Sequence, residues 1–367
     1  MKCCCIFNYP PHYRTAIYSL MDKQLKCDFY FGDKVLGGKI EELDCSSLDG
    51  FKGRIKNIFF AGKIIWQKGA LCLLNKDYTH YILSLDKICI SEILFLIIAR
   101  FKGKKTYLWT HGWYGNESKM RVLYKKLYFL PVTGFFLYGE YARNLMLKEG
   151  FNPNKLYVIG NSLDYDAKLQ YRKPVGINYV ENHFKNGLST IVFVGRLSPE
   201  KQLDQLIDCC RKINEHGTVR VNCLIIGDGQ MRSQLENRVA EYHMEDSVWF
   251  FGACYNAEEL AYLVGCCDLC VSPGNVGLTA IDCLSYGTPV CSHNDFPNQM
   301  PEFEAIIPGK TGDFFKRNDI NDMTRVVENW LIRYPQKSKE CISACYEIID
   351  NKYNPYCQIN VLKSALI

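Results

Sequence analysis

The chain alternates short, continuously apolar runs with stretches of helical period. The second half shows this most regularly. Thr190-Ile191-Val192-Phe193-Val194 is an apolar run of strand length. Leu203, Leu206, Ile207, Cys210 and Ile213 then recur with the spacing of one helix face. Residues 219–226 predict a second strand, stopped by Gly227-Asp228-Gly229, and Met231, Leu235, Val239 and Tyr242 stripe the next helix. Strands over 248–251, 269–272 and 289–291 alternate with helices over 258–264 and 278–286, and Ile320, Met323, Val326, Val327, Trp330 and Leu331 mark a late helix. The first half is less regular. It predicts strands over 3–7, 28–31, 80–84, 106–110, 134–138 and 156–159, and helices over 13–25, 90–101, 119–130 and 139–149. Apolar strands alternating with helices belong to parallel sheets covered on both faces. Between 161 and 187 the chain is polar, holds Pro174 and lacks a period, which places an interdomain linker there. The reading is therefore an α/β protein of two Rossmann-like domains, 1–165 and 189–350, joined by a linker over 166–188, with 351–367 as a terminal helix.

Composition agrees and removes alternatives. A length of 367 residues suits two domains, and 48% apolar with 23% charged residues excludes disordered and fibrous classes. The longest apolar run, Ile93 to Ala99, is far short of the roughly 20 residues of a membrane span. The N-terminus reaches Asn8-Tyr9-Pro10-Pro11 before an apolar signal region forms, so no secretory signal is expected. The 19 cysteines sit mostly in apolar contexts, as Cys223 and Cys270 do, and read as small buried hydrophobes of a reducing cytoplasm. Cys266, Cys267 and Cys270 have the spacing of half a zinc site, but no second pair follows, so no metal is expected.

Charge adds a partner. Residues 1–175 carry 27 Lys and Arg against 15 Asp and Glu, while residues 176–367 carry 17 against 24. The basic half points to an anionic partner: nucleic acid, anionic lipid or a phosphate-bearing acceptor. Nucleic acid ranks last because no motif for it is present. The cations cluster at Lys102, Lys104 and Lys105 and at Lys119, Arg121, Lys125 and Lys126. The second cluster is interleaved with large apolar and aromatic residues, as in helices lying at a membrane interface. The alternative reading is a core helix with a solvated basic edge.

Candidate chemistry falls where predicted strands end. Gly195-Arg196-Leu197-Ser198-Pro199-Glu200-Lys201 follows a strand and opens a helix, setting two cations beside a helix start, an arrangement suited to a diphosphate. Gly227-Asp228-Gly229 makes a tight turn lining a nucleotide pocket. Arg232 occupies the third-glycine position of a dinucleotide fingerprint, which argues against NAD. Ser272-Pro273-Gly274-Asn275-Val276-Gly277-Leu278 is a loop in which Gly274 and Gly277 permit close backbone approach to a ligand. Asp282, one turn on, is placed to accept ribose hydroxyls. Gly309-Lys310-Thr311 lacks the earlier glycine of a phosphate loop, Glu304 standing there, and reads as a turn. His111 ends an apolar strand before Gly112, a position typical of sites; His12 lies in a loop and reads either as a site residue or as a helix cap.

These segments together resemble the nucleotide-sugar domain of family 4 glycosyltransferases of the two-domain GT-B fold. The resemblance runs over about residues 190–335: Gly195-Arg196 to Lys201, Gly227-Asp228-Gly229, Val248 to Gly252, Asp268 to Asp282, Gly287-Thr288-Pro289-Val290, Pro301-Glu302 and Gly309 to Phe314. A weaker resemblance to the acceptor domain rests on Pro10-Pro11-His12-Tyr13-Arg14 and Trp109-Thr110-His111-Gly112. It implies parallel sheets facing a central cleft, a terminal helix that crosses back to the first domain, and retaining sugar transfer from a nucleoside diphosphate donor, UDP or GDP. It implies that Arg196 and Lys201 hold the diphosphate and stabilise the leaving group. Asp282 becomes the ribose acid, and Phe251, Gly252 and Cys254 line the base. His111 faces the donor sugar. No cofactor or metal is implied. The acceptor implied is a glycan, lipid-linked, in surface polysaccharide or lipopolysaccharide assembly, handled by a cytoplasmic enzyme peripheral on the inner membrane.

One departure stands out. The family pairs two glutamates with seven residues between them, and here the positions hold Gly274 and Asp282. The sugar contact of the first acid then falls to Asn275, Asp295, Asn298, Gln299 or Glu302, with His12 and Arg14 as further sugar or acceptor contacts. The alternative this raises is a catalytically silent, nucleotide-binding scaffold subunit.

Overall fold

The computed structural model describes residues 1–34, 41–60, 64–85, 88–172 and 179–366. The chain forms two compact units. The first comprises Met1–Asp164 with the segment from Asn354 onward, and the second comprises Tyr165–Tyr353.

The first unit holds β1 (Cys3–Phe7), β2 (Asp28–Gly32), β3 (Phe51–Phe60), β4 (Ile64–Lys68), β5 (His80–Leu85), β6 (Ile88–Cys89), β7 (Lys105–Thr110), β8 (Gly134–Leu137) and β9 (Leu156–Val158). Among the described residues they form one sheet in the order β6-β4-β3-β2-β1-β5-β7-β8-β9, parallel except for the β3–β4 pair. Side chains along β1 alternate between two cores. Cys3, Cys5 and Phe7 join Tyr18, Phe29 and Phe31 on one face, while Cys4 and Ile6 join Tyr81, Phe95 and Leu96 on the other. The helix Pro355–Leu366 completes the first of these cores with Ile359, Leu362 and Leu366. The sequence pattern passes over β3 and β4 because they are not continuously apolar. In β3 the cations Lys52, Arg54 and Lys56 alternate with inward positions such as Ile55, the pattern of a half-solvated antiparallel pair.

The second unit holds β10 (Ser189–Val194), β11 (Val221–Ile226), β12 (Val248–Gly252), β13 (Leu269–Ser272), β14 (Val290–His293) and β15 (Gly312–Phe315). Its sheet is wholly parallel in the order β12-β11-β10-β13-β14-β15. Helices Leu203–His216, Arg232–Glu241, Ala257–Gly265, Thr279–Ser285 and Ile320–Arg333 connect or cover the strands. Much of the segment read as a linker is folded: helices Tyr165–Gln170 and Tyr179–Phe184 belong to this unit. Their sequence shows no period because each is under two turns long. The part of that reading at 173–178, Pro174 included, lies outside the described residues. Fifteen of the 19 cysteines are buried, in keeping with their apolar sequence contexts. Among the described residues no helix is long and apolar enough to cross a membrane.

Candidate functional site

In the second sheet the chain's progress reverses between β10 and β13, and ligands of open α/β sheets bind beyond the carboxyl ends of the strands at such a point. Three loops meet there, backbone against backbone. Gly195 N–H donates to Ile226 at 2.9 Å, Leu197 N–H to Asp228 at 3.0 Å and Gly227 N–H to Gly252 at 2.8 Å. Gly274 N–H donates to the Lys201 carbonyl at 3.1 Å. A Cβ at Gly227 would overlap the Gly195 carbonyl, one at Gly229 the Leu197 carbonyl, and one at Gly274 the Glu200 carbonyl. Gly274 is therefore small because the 195–201 loop presses on it, and not because a ligand does. Gly277 differs: its φ is +55° and nothing but Met300 Cγ, 3.9 Å away, faces its missing side chain. The absence of the usual glutamate at position 274 follows from this packing, since no side chain fits.

The half-buried Lys201 crosses to the same loop. Its Nζ donates to Asn275 O at 2.6 Å and to Asn275 Oδ1 at 2.8 Å, which leaves one ammonium proton. Burial pushes its pKa down, against the attraction of Glu200 and Glu302. The buried Gln299 braces the loop from the other side. Its Oε1 accepts Val276 N–H at 2.9 Å, and its Nε2 donates to Ser292 Oγ at 2.8 Å and His293 O at 3.0 Å. Both of its amide protons are thus committed within the protein. Asp295 and Asn298 are committed too. Asp295 pairs with Arg317 at 2.9 Å and accepts Asn298 Nδ2 at 2.8 Å. Of the residues expected to stand in for the missing acid, Asn275 gives both oxygens to Lys201, and the buried Glu302 draws on the same ammonium electrostatically.

Arg196 is exposed, and its guanidinium makes no hydrogen bond or ion pair among the described residues. The N–H groups of Gly277 and Leu278 likewise donate to no acceptor among them. Asp228 turns back on its own loop, accepting Gly229 N–H at 2.7 Å. Phe251 packs edge-on to Trp249, with ring centroids 5.4 Å apart, and the Cys254 thiol points to Asn256 O and Glu259 at 3.5 Å. The Gly227–Gly252 bond brings this strand end to the common edge. Asp282 is not simply open to solvent. Its Oδ1 is ion-paired with Lys168, which also donates to Tyr286 Oη at 2.9 Å and lies over that ring at 4.5 Å. Asp282 and Tyr286 hold the Lys168 pKa up despite its burial. Lys168 was not foreseen: it lies on a short helix with no periodic signal. Neither was His293, buried at the end of β14, whose Nδ1 accepts Asp295 N–H at 3.2 Å.

The first unit gathers its own cluster at the ends of β1, β7 and β8. Arg14 donates to Tyr138 Oη and stacks over Trp109 at 4.8 Å and Tyr138 at 5.4 Å. His111 packs on the same Tyr138, with centroids 4.6 Å apart. Gly112 has φ +67°, a conformation that favours glycine, and a Cβ there would press on Leu137 and Met146. His12 stands apart: it is exposed, and its Nδ1 lies 3.3 Å from Glu41 O.

Residues 178–347 match the family model described as Glycosyl transferases group 1. The match lies within the second unit. A sequence relative, an uncharacterized glycosyltransferase of Methanocaldococcus jannaschii, is 28% identical over 148 residues, 40% of this chain and 35% of the relative. The chain thus matches about a third of that relative's length. Over the whole chain the fold is GT-B. The lipopolysaccharide outer core galactosyltransferase WaaB superposes with a TM-score of 0.71 at 15% identity, covering 100% of both chains. HepE of Anabaena, solved with UDP, gives 0.72 at 14% identity over 99% of each.

Proposed function

We propose that the chain is a retaining glycosyltransferase. It moves a sugar from a nucleoside diphosphate-sugar, with UDP or GDP as the nucleotide, to a glycan acceptor that is lipid-linked. This places it in surface polysaccharide or lipopolysaccharide assembly on the cytoplasmic face of the membrane. One observation carries the reading: at the switch point of the second sheet, an unpaired Arg196 stands on the same loop as a half-buried Lys201 with one proton to spare. The UDP bound by HepE and the lipopolysaccharide acceptor of WaaB are in keeping with it.

In this reading the diphosphate meets Arg196 and the remaining Lys201 proton, and the free N–H groups of Gly277 and Leu278. Asp282, its other oxygen held in place by Lys168, takes the ribose. Phe251, Gly252 and Cys254 flank the base, and Asn275 and Glu302 replace the missing acid near the sugar. The acceptor is assigned to Arg14 and Tyr138 of the first unit, with His12 at their rim, while His111, packed on Tyr138, is the catalytic residue facing the donor sugar. As the sugar–phosphate bond breaks, a bond to the acceptor oxygen forms on the same face. The acceptor proton passes to a departing phosphate oxygen, so stabilisation of the leaving group drives the step without a dedicated base. Arg196→Ala and Lys201→Ala should each abolish transfer without unfolding the chain. Unchanged rates in both would sink the assignment.

The second reading, a silent nucleotide-binding scaffold, is favoured by the packing that forbids an acid at Gly274. Calorimetric titration with UDP and GDP, followed by donor turnover, separates the two. Tight binding without hydrolysis or transfer would establish the scaffold.

A further inference from the structure

Exposed large apolar side chains are unevenly spread over the described residues. Nineteen are exposed, and ten of them lie on or immediately after two helices of the first unit, Ile90–Phe101 and Lys119–Phe129. On the first helix Phe95, Leu96 and Ala99 are buried, yet Leu94, Ile97 and Phe101 on the other side are exposed, Phe101 by 88%. On the second, Met120 (85%), Leu123 and Leu127 form an exposed stripe at helical spacing, while Tyr128 and Phe129 reach the core. The two buried faces share one core, and the Glu92 carboxylate of the first helix adds to burial in raising the Tyr128 phenol of the second, so the helices are neighbours. A soluble surface seldom gathers apolar groups in this way unless something covers them.

The charges around the face define what covers it. Arg100, Lys102, Lys105, Lys119 and Arg121 are exposed at its ends and rim. The carboxylates close by are already used: Glu92 is buried, Glu117 pairs with Lys125 at 2.7 Å and Glu149 with Lys126 at 2.7 Å. The face is thus apolar at its centre and cationic at its edge, the profile of helices lying in the headgroup region of an anionic bilayer. We infer that helices Ile90–Phe101 and Lys119–Phe129 together form a docking face that inserts Leu94, Ile97, Phe101, Met120, Leu123 and Leu127 into an anionic lipid surface. This deepens the membrane reading above and does not depend on the donor chemistry.

The test is co-sedimentation of the full chain with phosphatidylcholine vesicles, with and without phosphatidylglycerol. Binding is expected only where phosphatidylglycerol is present. The double variant Leu123→Ser/Leu127→Ser should weaken it at least about tenfold, since it removes inserted apolar surface and touches no core contact. Equal binding by the variant, or equal binding to both vesicles, overturns the inference. So does self-association of the wild type that the variant loses while neither binds vesicles, because a second copy would then cover the face. Titrating the same samples with UDP and GDP keeps the two readings separate. Nucleotide binding without vesicle binding sinks the docking face alone, and the reverse sinks the donor site alone.

Discussion

At the scale of single residues, the site is built by atoms that are missing as much as by those present. Gly274 has no Cβ because the Glu200 carbonyl occupies its place, and the neighbouring Asn275 holds Lys201 through both its oxygens. Gly274→Ala is therefore expected to destabilise the chain by about 1–3 kcal/mol through overpacking. Gly274→Glu, which places there the acid that the resemblance would supply, should do worse and give no gain in transfer rate. A melting series of both, beside Gly277→Ala, checks this; an innocuous Gly274→Ala would refute the packing account. His293 gives a second expectation. Burial, reinforced by Arg317, pushes its pKa from 6.5 down to about 4, against the pull of Asp295. The folded state then holds His293 neutral, while the unfolded chain takes up a proton below about pH 6.5. The stabilisation is complete above that pH, is lost as pH falls toward 4, and amounts to about 3 kcal/mol. Urea titrations at falling pH should show this slope in the wild type and a flatter one in His293→Asn.

At the scale of elements, legibility followed hydrophobic contrast. β10, β11 and β13 are mostly apolar and run into glycine or Ser-Pro-Gly, so both they and their loops stand out in the sequence. β3 alternates cations with inward residues, and helix Tyr165–Gln170 spans six residues, too few for a period to register. The helix matters because it delivers Lys168 to Asp282, a pairing across 114 positions that no local pattern announces. Lys168→Met should cost about 3 kcal/mol, because it strips a largely buried carboxylate of its partner. Replacing both, Lys168→Met with Asp282→Leu, should restore much of that stability while nucleotide affinity stays about tenfold lower, the loss expected of a hydrogen-bonded charge. If the double variant regained full affinity, Asp282 would be a structural residue with no part in binding ribose.

At the scale of the whole molecule, the chain leaves the first unit at Asp164, builds the second, and returns from Asn354 to finish the first. The returning helix does more than cover a surface. Ile359, Leu362 and Leu366 are core residues of the first unit, Gln358 donates to Gly160 O at 3.0 Å, and Tyr107 Oη donates to Ala365 O at 2.9 Å. Burying three such side chains contributes about 5–8 kcal/mol, comparable to the whole stability of a domain. The second unit has its own parallel sheet and, in the proposed reading, every residue that holds the donor's nucleotide and diphosphate. A chain ended after Tyr353 should therefore lose the first unit and keep the second. Limited proteolysis should leave a resistant core close to 165–353, calorimetry should still detect nucleotide binding, and transfer to any acceptor should vanish. Loss of nucleotide binding together with the first unit would mean that the donor site draws on residues outside the second unit, and the assignments at Arg196, Lys201 and Asp282 would have to be reopened.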